Sequence, residues 1–218
     1  MNVTKAFLFD LNGTMIDDMD FHIEAWHRIL NGLGANISIA EVKEECYGKN
    51  DELLERIFPG RFSEEEKARM SYAKETAYQR AFRPSLKLIN GLDAFLEKTF
   101  QAGIPMAIGS AAIMYNIDFV IDGLGIRHYF KSIVSAEGVS KSKPDPETYI
   151  RCAEESGLPY HSCVVFEDAL KGVEAAQNAG MQCVVITTMH TPEEFGAYRN
   201  ILCFVNDYTD SQLDNLFH

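Results

Sequence analysis

The feature that most constrains this chain is a change of rhythm at Pro84. Beyond it, short apolar runs alternate with helical patterns. Met106-Ala107-Ile108, Ile133-Val134, Cys163–Phe166, Cys183–Ile186 and Leu202–Val205 read as strands, separated by helical stretches such as Leu92–Phe100 and Ile113–Leu124. Before it, one apolar run, Lys5 to Asp10, stands alone, and residues 19–85 carry helical patterns and no convincing strand. Alternation of apolar strands with helices builds a parallel sheet covered on both faces. The expected fold is therefore α/β: a doubly wound, Rossmann-like parallel-sheet core, residues 1–18 and 86–218, with a helical cap, residues 19–85, inserted after the first strand.

Local signals place the helix ends. Phe21, Ala25, Ile29 and Leu33 repeat at helical spacing, and Gly34 stops them. Ser38 with Glu41, and Ser63 with Glu66, fit capping boxes. A short helix is expected over Asp51–Phe58, before Pro59-Gly60. Asp145-Pro146-Glu147 reads as an N-cap followed by proline at the first helical position.

Composition removes several function classes. Against 32 acidic residues stand 20 basic ones, a formal net charge of −12. Nucleic acid and anionic membrane surfaces would be repelled, so neither is an expected partner. No apolar run approaches the roughly 18 residues of a membrane span, and Ala6–Phe9 is too short for the apolar part of a signal peptide. The five cysteines form no CxxC pair. Reduced thiols in a cytoplasmic protein are expected, and the chain is expected to be a monomer.

In open α/β sheets ligands bind at the carboxyl ends of strands, and here those ends carry the polar chemistry. The first offers Asp10-Leu11-Asn12-Gly13-Thr14, the second Gly109-Ser110, the third Ser142-Lys143-Pro144, and the fourth Glu167-Asp168. Carboxylates for a hard cation, a lysine, a hydroxyl and exposed amides together suit a phosphate group and Mg²⁺. Each residue also has a plainer use: Asp10 capping a turn, Lys143 as a solvated loop cation, Ser110 or Glu167-Asp168 as helix caps.

Taken in order, these segments resemble the four motifs of the haloacid dehalogenase-like superfamily. Phe9 to Thr14 with Asp17 looks like its first motif, Gly109-Ser110 its second, Lys143-Pro144 its third and Glu167-Asp168 its fourth. The helical insert resembles the small cap of the β-phosphoglucomutase branch. The resemblance implies a phosphoryl-transfer enzyme that uses Mg²⁺ on a small phosphorylated metabolite, a sugar phosphate first of all. It implies Asp10 as nucleophile, and Asp10, the Asn12 carbonyl, Glu167 and Asp168 around the metal. Lys143 and Ser110 would bind the phosphoryl oxygens, with the cap closing over the substrate. A β-phosphoglucomutase, a pyrophosphatase or other small-phosphate hydrolase, and a sugar-phosphate binder without turnover are the alternatives.

Asn12 departs from the family pattern, which has aspartate there as the acid/base group. An amide cannot shuttle a proton. Asn12-Gly13 is also a deamidation-prone step, and its conversion would restore the missing carboxyl group. In the cap, His22 and Trp26 lie four apart on one helix face; they resemble positions near the active site, or equally an aromatic pair that packs the helix. Lys49, in the segment resembling the substrate-specificity loop, stands where mutases carry an arginine to grip a second phosphate. It is a candidate substitute, or a solvated turn lysine. Hydrolysis is the expectation over mutase chemistry.

Overall fold

The computed structural model describes residues 5–217, which fall into two compact units: one holds the residues up to Asp17 and those from Lys87 onward, the other Asp18–Leu86. In the first, strands β1 (Ala6–Phe9), β2 (Met106–Gly109), β3 (Ser132–Val134), β4 (Cys163–Glu167), β5 (Gln182–Ile186) and β6 (Ile201–Val205) form one sheet in the order β3-β2-β1-β4-β5-β6. Every neighbouring pair is parallel. The chain moves outward from β1 on one side through β2 and β3, then returns to β1's other side with β4. The carboxyl end of β1 is thus a topological switch point, where loops diverge and leave a crevice.

Side chains alternate across the sheet, and β1 is buried on both faces. Phe7 and Phe9 pack with Phe166, at ring separations of 5.4 and 4.6 Å, and with Phe95 of helix α5 (Leu92–Gln101). Ala6 and Leu8 face the opposite way, in a cluster with Tyr149 and Cys152 of α7 (Glu147–Ser156) and Val173 and Ala176 of α8 (Leu170–Asn178). Helix α6 (Met114–Gly123) connects β2 to β3. Among the described residues no helix is long and apolar enough to cross a membrane.

The second unit is helical: α1 (Met19–Gly32), α2 (Ile39–Glu45), α3 (Asn50–Ile57) and α4 (Glu64–Phe82). α1 packs on α2 and α4, and α3 on α4. Both expected capping boxes form, with Ser38 and Ser63 at the N-caps. At α7 the expected arrangement shifts by one residue. Pro146 is the cap, and Asp145 reaches over it to accept from the Glu147 amide at 3.0 Å.

Candidate functional site

Three strand ends of the sheet unit converge. Asp10 follows β1, Glu167 ends β4, Asp168 comes next, and Lys143 lies on the loop between β3 and α7. Lys143 Nζ donates to Asp10 Oδ1 at 2.6 Å and to Glu167 Oε1 at 2.7 Å, and it lies 4.7 Å from the Tyr149 ring centroid. All four charged groups are buried. Three carboxylates therefore share one ammonium away from water, an arrangement that works against ionisation of Asp10 and Asp168.

Burial, followed by the Glu167 charge, pushes the Asp10 carboxyl up to about 7, although Lys143 opposes the shift. Asp168 is held well above the ordinary carboxylate range by burial, then by Glu167 and Asp10. Burial acts to discharge Lys143, but Asp10 and Glu167 outweigh it and keep the ammonium above its usual range.

One oxygen from each of Asp10, Glu167 and Asp168 can be chosen so that all lie within 4.8 Å of one another. Hard oxygen donors, an excess of negative charge and burial fit a Mg²⁺-like cation. A pH dependence follows. Asp10 binds its proton more tightly folded than unfolded, so its contribution to stability is present below about pH 4 and is lost as pH rises through about 7. Metal binding needs the ionised carboxylates. In protein first stripped of divalent ions, Mg²⁺ addition is thus expected to raise the melting midpoint more at pH 7.5 than at pH 5.5, and Asp10→Asn to shrink that difference. Equal increments at both pH values, measured by scanning calorimetry, would contradict this account.

Sequence reading missed the residues that hold these groups in place. Tyr149 donates to Glu167 Oε1 at 2.8 Å, and the amides of Asp168 and Ala169 donate to Glu167 Oε2 at 2.9 Å each. Thr14 Oγ1 donates to Asp168 Oδ1 at 3.1 Å. Thr188, past β5, donates to the Gly13 carbonyl at 2.6 Å, and Tyr208, past β6, to the Thr14 carbonyl at 3.1 Å. Two glycines leave room for the carboxylates. A Cβ on Gly172 would meet Glu167 Oε1 at 1.7 Å, and one on Gly13, where φ is +77°, would meet Asp168 Oδ2 at 2.1 Å.

Asn12 is half-buried in the turn after β1, bridged to Ile16. Deamidation requires the next residue's amide nitrogen to attack the side-chain carbonyl. Here the Gly13 N–H donates to the Ile16 carbonyl at 2.8 Å, so the attack first requires that turn to open. The fold shields the step that looked labile in the sequence.

Ser110 is buried at the end of β2, but it does not cap α6. Its Oγ accepts from the Ala112 amide at 3.1 Å, and the helix begins at Met114 with Ile113 at its N-cap. The first amide of α6 donates instead to Glu137, from the turn after β3.

The helical unit holds a second buried network, and His22 belongs to it. Lys74 Nζ lies 2.6 Å from His22 Nδ1, and His22 Nε2 lies 3.1 Å from Asp18 Oδ2. Lysine can only donate, so Nδ1 of His22 accepts in that contact and Nε2 faces the carboxylate. Its ring stacks on Tyr78 at 3.8 Å, and Tyr78 donates a short hydrogen bond to Asp18. Lys74 also contacts Glu75 Oε1 at 3.0 Å, which accepts from Asn50 at 2.9 Å. Trp26 is buried with Lys74 Nζ 5.5 Å from its ring. Lys49 is half-buried at the start of α3, where its amide donates to Glu52.

Comparison with known proteins matches this assembly. Residues 7–186 fit the family described as haloacid dehalogenase-like hydrolase. Fructose-1-phosphate phosphatase YqaB of Escherichia coli is 29% identical, over 82% of this chain and 94% of its own. The β-phosphoglucomutase of Clostridium difficile superposes with a TM-score of 0.84 at 25% identity, covering 98% of this chain and 96% of that one. A hydrolase of the same superfamily from Entamoeba histolytica gives a TM-score of 0.85 at 25% identity, over 98% and 99% of the two chains. With a parallel sheet, four motifs in order at its strand ends and a family match across most of its length, the chain belongs to the haloacid dehalogenase-like hydrolases and is a phosphatase or phosphoglucomutase-like enzyme.

Proposed function

We propose that this protein hydrolyses a small sugar phosphate through a phosphoryl group carried on Asp10. The observation that carries the reading is the buried cluster in which Lys143 bridges Asp10 and Glu167 beside Asp168. A carboxylate attacks a phosphate dianion only where surrounding charge is cancelled. Lys143 supplies one positive charge within hydrogen-bond distance of the attacking carboxylate. Asp10, Glu167 and Asp168, with the Asn12 carbonyl, would hold Mg²⁺, which supplies the remaining charge neutralisation on the phosphoryl oxygens.

In this scheme Asp10 attacks phosphorus and the bond to the sugar oxygen breaks, leaving an aspartyl phosphate. The Ser110 hydroxyl, at the end of β2, binds a phosphoryl oxygen. Asn12 donates a hydrogen bond to the departing oxygen but cannot protonate it, and it cannot take a proton from the incoming water. Both half-reactions are slowed, and hydrolysis of the acyl phosphate needs a general base that Asn12 does not provide. The phosphoryl-enzyme is expected to accumulate. The relative that carries the name fructose-1-phosphate phosphatase puts fructose 1-phosphate first among substrates to try.

The test is phosphate release with Mg²⁺ across sugar phosphates and pyrophosphate, together with a search for a hydroxylamine-labile phosphoryl label on Asp10. Slow steady-state release with labelled Asp10 is the expected outcome. Turnover that survives Asp10→Ala would overturn the reading, and transfer to a sugar hydroxyl in place of water would identify a mutase.

A further inference from the structure

Tyr149 touches the reacting cluster without a part in the scheme above. It lies on α7, is fully buried, and its hydroxyl donates to Glu167 Oε1 at 2.8 Å. The same oxygen accepts from Lys143 Nζ at 2.7 Å, and that ammonium also donates to Asp10 Oδ1 at 2.6 Å. Glu167 Oε2 accepts from the Asp168 and Ala169 amides. A carboxylate offers about four lone-pair sites. Two donors on each oxygen fill them, so Glu167 is a fixed anchor for Lys143.

Packing holds the phenol in place. α7 lies against the end of β2, where Gly109 leaves room: a Cβ there would meet Cys152 Sγ at 2.9 Å, Thr148 Cγ2 at 3.0 Å and the Tyr149 ring at 3.4 Å. The loop that carries Lys143 is held as well, by Asn178 of α8, which donates to the Pro144 carbonyl at 3.0 Å. What can vary is the ammonium itself, on a flexible stem between two carboxylates. An oxygen shared by two donors gives less to each. With the Tyr149 hydroxyl on Oε1, Glu167 holds Lys143 less tightly, and more of the positive charge stays with Asp10. The ring, 4.7 Å from Nζ, also flanks the ammonium. Filling the core alone would take only the ring.

We propose that Tyr149 is a positioning residue: by sharing the Glu167 oxygen that anchors Lys143, its hydroxyl sets how the ammonium is divided between Glu167 and Asp10. It acts through Lys143 on the attack by Asp10 and touches neither the phosphoryl group nor the sugar. The inference rests on the phosphoryl-transfer reading.

The test is Tyr149→Phe, which keeps the ring and its packing and removes the hydroxyl, with Mg²⁺ present throughout. Two quantities are read. One is the side-chain nitrogen resonance of Lys143 by NMR, assigned by its loss in Lys143→Arg. The other is the rate at which Asp10 becomes labelled from radiolabelled sugar phosphates, fructose 1-phosphate first. The resonance is expected to move. The maximal labelling rate is expected to fall about tenfold, the scale of one hydrogen bond to a charged group. The substrate concentration giving half that rate is expected to hold, because no contact to bound substrate is lost. Ser156→Ala is the control. It removes another buried hydroxyl of α7, one that donates to the Cys152 carbonyl at 2.8 Å. It is expected to lower the melting midpoint and to leave the resonance and the labelling rate alone. An unmoved Lys143 resonance in Tyr149→Phe, an unchanged labelling rate, or an equal fall in Ser156→Ala overturns the proposal and leaves the phosphoryl-transfer reading intact. No label on Asp10 of the unmodified protein from any of the sugar phosphates overturns both.

Discussion

Asn12→Asp is expected to raise steady-state phosphate release by about 10² to 10⁴-fold, the usual contribution of one general acid/base group. The substitution replaces an amide with a carboxyl of nearly the same shape. Its turn is fixed from three sides, by Gly13 to Ile16, Thr188 to Gly13 and Tyr208 to Thr14. The new carboxyl should therefore take the amide's position without a change in the loop. The gain should appear in both half-reactions, as faster departure of the sugar oxygen and faster decay of the label on Asp10. Single-turnover rates measured beside the label's lifetime separate the two. If neither rate moves, another residue carries the proton and Asn12 has a different use. Intact-mass measurement of the unmodified protein before the assay guards the comparison. The hydrogen-bonded Gly13 amide predicts asparagine at position 12 even in stored samples.

Lys143→Met should be the most damaging single change to stability in the sheet unit. Lys143 is the ammonium that bridges Asp10 and Glu167 in the buried site, and methionine nearly matches its length without the charge. Removing one partner from a buried ionic group leaves uncompensated charge and costs about 3–5 kcal/mol. For a chain of this size that is a fall of roughly 10 °C in melting midpoint. The carboxylates can escape part of the penalty by taking up protons. The loss is therefore expected to be larger at pH 8 than at pH 5.5, with Mg²⁺ recovering some of it by standing in for the missing charge. A midpoint within about 1 °C of the parent, by calorimetry in chelator, would show that the site tolerates its carboxylates unaided. Phosphate release is expected to fall with the substitution under all conditions, because the same ammonium faces Asp10, the proposed nucleophile.

Much of the sheet and the order of its chemistry could be read from the sequence because the signals are local. An apolar run ending in Asp10, a capping box at Ser63 and a glycine after Ala179 each act within a few residues. The partners of those groups were hidden because they come from distant segments. Tyr149 reads as an apolar position on the inner face of α7, and nothing near it in the sequence says that its hydroxyl reaches Glu167. Thr188 and Tyr208 lie on loops after the last two strands, with no motif around them, and they meet the Gly13–Thr14 turn only because the sheet is parallel. Thr14 carried the clearest available signal, since it closes the Asp10 segment and adds a hydroxyl beside Asp10 and Asn12. The helix end at α6 misled for a physical reason: Ser110 has a cap's chemistry, but its hydroxyl serves the Ala112 amide, and the true helix start is served from another loop.

The pairing of β1 also bears on how the molecule assembles. Phe7 sits beside Met106 on one side and Val164 on the other, so the strand that carries Asp10 acquires neither neighbour until long stretches of later chain are in place. Closing such long loops costs entropy before any contact repays it, which slows the formation of parallel sheets. The helical unit, built from contacts within one continuous segment, has no such wait. During synthesis, Asp10 is made about a hundred residues before β2 and longer still before β4, the two strands that flank it. A chain not yet extended through β4 therefore holds Asp10 without Glu167 or the completed buried cluster around it.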